Sequence, residues 1–132
     1  FVQDNESASR YGVLRGLHFQ KPPFEQSKLV RVSFGAIQDV IVDMRPKSDT
    51  YGQWKSYELK QDNNMILFVP KGFAHGFLTL TDMAIVNYKV DSYYNKKSDS
   101  GIHYNDPTLG INWDISDKDI IVSDKDSNLP YF

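Results

Sequence analysis

Apolar and polar residues alternate along this chain in short runs, with a period of two rather than 3.6. The runs predict strands at Val13–Gln20, Leu29–Phe34, Ile37–Met44, Gln53–Leu59, Met65–Val69, His75–Leu80 and Ala84–Val90. Turn-forming residues separate them: Lys21-Pro22-Pro23, Phe34-Gly35, Pro46-Lys47-Ser48-Asp49, Asp62-Asn63-Asn64, Pro70-Lys71-Gly72 and Thr81-Asp82. Short strands at regular spacing indicate a sandwich or barrel, not βαβ units. No segment before Asp114 carries a helical period, and one short helical turn is predicted near Ser116–Ile120, capped by Ser116 or Asp114. With no internal repeat and no linker, residues 1–132 read as one all-β domain with a short helical or irregular C-terminal segment.

Composition supports the strand reading and narrows the partners. Aromatic residues make up 14% of the chain, and β-branched residues recur in clusters. At 132 residues the chain suffices for one hydrophobic core. A net charge of −2 with no Lys/Arg block favours neither nucleic acid nor an anionic membrane as partner. The absence of cysteine removes disulfides, thiolate nucleophiles and Cys-based zinc sites, and suits a cytoplasmic protein. No apolar run approaches the ~18–20 residues of a membrane span, and no signal-peptide pattern opens the chain. Phe1-Val2-Gln3 reads as the middle of a strand, so residues are expected to precede Phe1 in the natural protein.

Several residues could carry chemistry. Strict alternation puts Leu14, Gly16, His18 and Gln20 on one face of their strand and Val13, Arg15, Leu17 and Phe19 on the other. An imidazole beside Gln20 and a side-chain-free Gly16 suggests an open inner surface, although a lone strand histidine is more often structural. His75 alternates with Phe73 and Phe77, and the flanking Gly72 and Gly76 permit close approach of a ligand or another backbone. Tyr88 shares a face with Ala84, Val86 and Val90. It reads as core filler, or as a general acid if a charged neighbour or an enolate lies close. Asp126, in an acidic run from Asp114, reads by itself as a solvated residue. Arg15, Lys28 and Arg31 are cations in apolar strands, and burying a charge is costly unless it is paired or faces a cavity. Together they suit a pocket for an anion such as a diphosphate, while exposed edge charges would explain one of them more easily than three. With only three histidines and no His-x-His pair, a metal site is not expected.

Six ordered blocks carry a family resemblance: Phe1-Val2-Gln3-Asp4-Asn5-Glu6-Ser7, Gly12-Val13-Leu14-Arg15-Gly16-Leu17-His18-Phe19-Gln20, Lys28-Leu29-Val30-Arg31-Val32, Val69-Pro70-Lys71-Gly72-Phe73-Ala74-His75-Gly76-Phe77, Tyr88-Lys89, and Asn105-Asp106-Pro107 with Gly110-Ile111-Asn112-Trp113. In order and spacing the chain resembles the dTDP-4-dehydrorhamnose 3,5-epimerases. The resemblance implies a cupin-type jelly roll, a homodimer, and no metal or organic cofactor. It also implies inversion of C3 and C5 of dTDP-4-dehydro-6-deoxy-D-glucose, whose protons are acidified by the C4 ketone between them.

The resemblance also implies roles. His18 is the base, Asp126 the carboxylate that orients it, Lys28 the cation for enolate charge on O4, and Tyr88 the acid on the opposite face. Nucleotide and phosphate contacts fall on Gln3, Asp4, Asn5, Arg15, Lys28, His75, Tyr94, Asp99 and Lys125, the family usually having Glu at the position of Asp99. Relatives carry a preceding stretch with an Arg and a Glu that help hold the nucleotide. A chain truly lacking it is expected to bind substrate less tightly. Three alternatives share parts of this pattern: an epimerase acting at one carbon or on another 4-keto sugar nucleotide, a non-catalytic sugar-binding jelly roll, and a metal-dependent cupin.

Overall fold

The computed structural model describes residues 1–132, which form two facing β-sheets. The strands are β1 (Gln3–Arg10), β2 (Val13–Gln20), β3 (Lys28–Phe34), β4 (Ala36–Asp43), β5 (Trp54–Lys60), β6 (Leu67–Val69), β7 (Phe73–Thr79), β8 (Met83–Val90), β9 (Asp99–Gly101) and β10 (Ile121–Val122). The smaller sheet has the order β1-β8-β3-β6. The larger has the order β10-β2-β7-β4-β5, with β9 also pairing to β2. The neighbours are antiparallel apart from β10 on β2.

Between the sheets, Val30, Val32, Ile37, Ile41, Leu59, Val69, Phe77, Ala84 and Val86 form the main core. Each fully buried aliphatic side chain contributes roughly 1.5–3 kcal/mol by leaving water. Alternation fails in β4, where all eight residues are buried. Its inner face meets the main core. Its outer face lies under the irregular C-terminal segment, where Val40 and Val42 pack with Leu17, Ala74, Ile102 and Leu109. Polar ties hold that cover down: Trp54 Nε1 donates to Leu109 O at 2.9 Å, and the buried Gln38 donates to Asn112 O at 2.7 Å and accepts from Asp114 N at 2.8 Å. A strand covered on both faces has no polar side to display, so its sequence reads as a near-continuous apolar run.

All seven expected strands are present, with ends shifted by up to two residues. Three others are added. β1 is polar in sequence (QDNESASR) yet pairs with β8 along its whole length, because an edge strand forms through backbone hydrogen bonds without an apolar face. β9 and β10 are only three and two residues long. The helical turn falls at Asp117–Asp119, but the side chain of Ser116 makes no cap hydrogen bond. A second turn, α1 (Asp124–Ser127), lies inside the run expected to be plain surface, and Ser123 Oγ caps it by accepting from Asp126 N.

Candidate active site

The site begins with an irregularity in β2. Its pairing with β7 runs through Leu14–Leu78 and Arg15–Phe77 and resumes at His18–His75, so two residues on β2 face one on β7. This bulge interrupts strict alternation. Arg15, expected on the face opposite His18, therefore lines the same cleft as His18. Glycine is required at the bulge: a β-carbon on Gly16 would lie 2.7 Å from His75 O, and one on Gly76 would lie 2.6 Å from Arg15 O. The glycine faces at the bulge thus admit the neighbouring backbone.

His18 is half-buried and its Nε2 lies 2.6 Å from Asp126 Oδ1. Asp126 is 4% exposed, so it is not the solvated residue its surroundings suggest. Its other oxygen accepts from Gly16 N at 2.9 Å. Burial alone would raise the pKa of Asp126, but the bonds from His18 and Gly16 outweigh it and hold the carboxyl below its ordinary value. An ionised carboxylate only accepts, so the ring nitrogen facing Asp126 carries the hydrogen of that bond.

Lys28, His75, Tyr88 and Lys125 line the same cavity of about 520 Å³. Burial pulls the Lys28 ammonium down to about 8, against the opposing pull of Asp39 and Asp99. Its Nζ stands 5.9 Å from the centre of the Tyr88 ring. Burial raises the Tyr88 pKa and Arg15 opposes the rise, so the phenol keeps its proton at neutral pH. His75 is buried, with Nε2 2.5 Å from Asp39 Oδ1, although not aligned as a hydrogen bond. Asp39 was not singled out from the sequence. Its signal was a carboxylate inside the apolar run Ile37–Val42, the same reasoning that selected Lys28.

A second lobe of about 290 Å³ shares His18, Lys28, Tyr88 and Lys125 as walls and adds Gln3, Asn5, Gln20, Gln26, Tyr94 and Asp99. At its rim Tyr94 Oη and Lys125 Nζ both donate to Asp99 Oδ2, at 3.1 and 2.9 Å. Two of the residues considered for the pocket lie outside this cleft. Arg31 is exposed on the outward face of the smaller sheet, because the residues alternating with it, Val30 and Val32, take the core. Asp4 likewise alternates out of the cleft between Gln3 and Asn5 and pairs with Lys89 at 2.5 Å.

A carboxylate-held imidazole, a protonated phenol and a largely buried ammonium on one cavity can remove a proton, return one and steady the negative charge formed between. No group of three or more His, Asp or Glu side chains converges as a metal-binding set. No helix is long and apolar enough to cross a membrane. Two-sheet fold and site together define a cupin-type jelly roll equipped for acid–base chemistry on a small polar molecule.

The family profile described as dTDP-4-dehydrorhamnose 3,5-epimerase matches residues 1–132. The enzyme of that name from Methanothermobacter thermautotrophicus is 54% identical over 129 residues, covering 97% of this chain and 69% of the relative. The crystal structure of the Bacillus anthracis enzyme, with TDP and PPi bound, superposes with a TM-score of 0.96 at 54% identity, over 100% of this chain and 75% of that one. The Legionella pneumophila enzyme, in complex with dTDP-4-keto-L-rhamnose, superposes at 0.94 with 46% identity, over 99% and 69%. This chain belongs to the dTDP-4-dehydrorhamnose 3,5-epimerase family.

Proposed function

We propose that the chain converts dTDP-4-dehydro-6-deoxy-D-glucose to dTDP-4-dehydro-L-rhamnose, with His18 as base and Tyr88 as acid. The observation that carries this reading is that the His18–Asp126 pair, Lys28 and Tyr88 all border one cavity. His18 takes the proton from C3 or C5, and the C–H electron pair moves into the ring while the C4 carbonyl gains enolate charge. Lys28 faces that oxygen. Tyr88 then returns a proton to the opposite face; His18 gives its proton to solvent, Tyr88 regains one from solvent, and the same cycle at the other carbon completes the double inversion. Asp126 holds the imidazole and stabilises its protonated form.

In this reading Arg15, His75, Lys125 and the second lobe hold the diphosphate and nucleoside. The solved relatives with TDP or a dTDP-sugar support that class of ligand. The enzyme works without a metal or organic cofactor, in the cytoplasm and as a homodimer, for which the exposed Phe68 on β6 and Ile66 just before it supply an outward apolar surface. Residues 1–132 act as one domain.

Turnover of the keto sugar in deuterium oxide, followed by NMR, tests the reaction. Label at both C3 and C5 is expected. Label at one carbon only would make the chain a single-site epimerase, and no label with retained dTDP binding would make it a binding module. Activity should be undiminished in EDTA.

A further inference from the structure

Gln20 is 4% exposed and its amide is fully committed. Nε2 donates to Phe24 O at 2.6 Å and to Tyr93 O at 3.3 Å, while Oε1 accepts from Asn95 N at 2.7 Å. The side chain therefore ties the end of β2 to two loops, 21–27 and 91–98, that rim the second lobe. Only a neutral primary amide meets this set, since two donors and one acceptor are needed at one planar group. A carboxylate of the same shape would face two carbonyl oxygens with nothing to donate.

The loops have other ties nearer their bases. Gln26 Nε2 donates to Ser92 O at 2.8 Å, and Ser27 N donates to Asp91 Oδ1 at 2.7 Å. Loss of the Gln20 amide would thus release the tip of the 91–98 loop without detaching the loop. Tyr94 is carried on that tip, and its hydroxyl meets Asp99, the residue paired with Gln20 across β2 and β9.

We infer that Gln20 is a positioning residue for ligand binding, which sets the Tyr94–Asp99–Lys125 rim of the second lobe through the 91–98 loop and takes no part in proton transfer. The inference rests on the proposed function for its ligand and its kinetic readout, and the comparison of dTDP binding with turnover separates its failure from that of the reaction assignment.

The experiment compares Gln20→Met with Gln38→Met. Gln38 is a similarly buried amide clamp on the side of β4 away from the cleft, with Nε2 donating to Asn112 O and Ser56 Oγ and Oε1 accepting from Asp114 N. Calorimetry with dTDP and steady-state kinetics are run on both folded variants. Gln20→Met should weaken dTDP binding and raise KM by about tenfold, the scale of one or two lost hydrogen bonds, with kcat within about twofold. Gln38→Met should leave both constants at wild-type values. Tyr94→Phe should weaken binding in the wild type and add nothing in the Gln20→Met background. Wild-type dTDP affinity in Gln20→Met, an equal loss in Gln38→Met, or full additivity with Tyr94→Phe would each overturn the inference. If the wild type binds dTDP but does not turn over the keto sugar, the reaction assignment fails while the binding comparison still decides the role of Gln20.

Discussion

Asp126 reaches back across 108 residues of sequence to hold His18 Nε2 at 2.6 Å with one oxygen and Gly16 N at 2.9 Å with the other. The carboxylate so fixes both the imidazole and the bulge that carries it. Replacing His18 with Asn is expected to lower kcat by about 10²–10⁴, the range for a general base, while dTDP still binds. Asp126→Asn should also lower kcat, because the amide neither balances an imidazolium nor selects the tautomer. Equal kcat in wild type and His18→Asn would remove His18 as the base.

Tyr88 carries its proton at neutral pH, as a phenol ordinarily does, and burial raises its pKa further. In Tyr88→Phe the base can still take and return a proton on its own face. Deuterium should enter from solvent with little inversion, so exchange outruns epimerisation. NMR of the recovered sugar distinguishes the two, and inversion at the wild-type rate would rule the acid role out.

Lys28, depressed to about 8 by burial, should impose an alkaline limb on kcat near that pH as the enolate loses its cation. The Asp39 carboxylate raises the Lys28 pKa, so Asp39→Asn should move the limb to lower pH. Lys28→Arg should remove the limb from the accessible range, because a guanidinium stays charged. A pH–rate profile invariant across all three proteins would exclude Lys28 as the titrating group.

Gly76 packs against Gly16 where β2 and β7 approach. Gly76→Ala places a methyl 2.6 Å from Arg15 O, against backbone that cannot rotate aside. The cost expected from overpacking is about 1–3 kcal/mol, measured by urea unfolding, together with a loss of kcat from displacement of His18 and His75. A neutral substitution would contradict the close approach.

Away from the cleft, the buried Asp43 carboxylate accepts from Arg45 Nε and Nη2, Arg45 N, Ser48 Oγ and Thr50 Oγ1. The Arg45 bond is the main reason its pKa lies well below the usual carboxylate range. Its stabilisation is present above the unfolded carboxyl value, about 3.9, and declines as pH falls from there toward the depressed folded value. Asp43→Asn should therefore lower Tm by several degrees at pH 7, with a smaller difference near pH 3, and leave KM unchanged. A Tm gap that widens on acidification would reverse the sign of the assignment.

How far the site was legible depended on whether a residue's surroundings were local. Lys28 stood out because its neighbours in β3 are apolar, and Asp39 carried the same mark in β4. Arg31 carried it too, yet it faces outward, since apolar neighbours do not say which side of a strand meets the core. Asp4, placed at the site by the resemblance alone, also points away, between two residues that do reach the cleft. Gln20 looked like part of an open inner surface, but its amide is consumed by loop carbonyls that no local pattern announces.

Sequence alone determined seven of the ten strands, the all-β class and, through six ordered blocks, the family, because a two-residue period and turn chemistry are properties of neighbours along the chain. Tertiary structure decided the rest. The bulge that turns Arg15 toward His18 exists because Gly16 meets Gly76 on another strand. The burial of Asp126 exists because a short C-terminal turn closes over β2. Charges that look solvated in sequence become paired and directed only when distant backbone and side chains supply the hydrogen bonds that offset their loss of water.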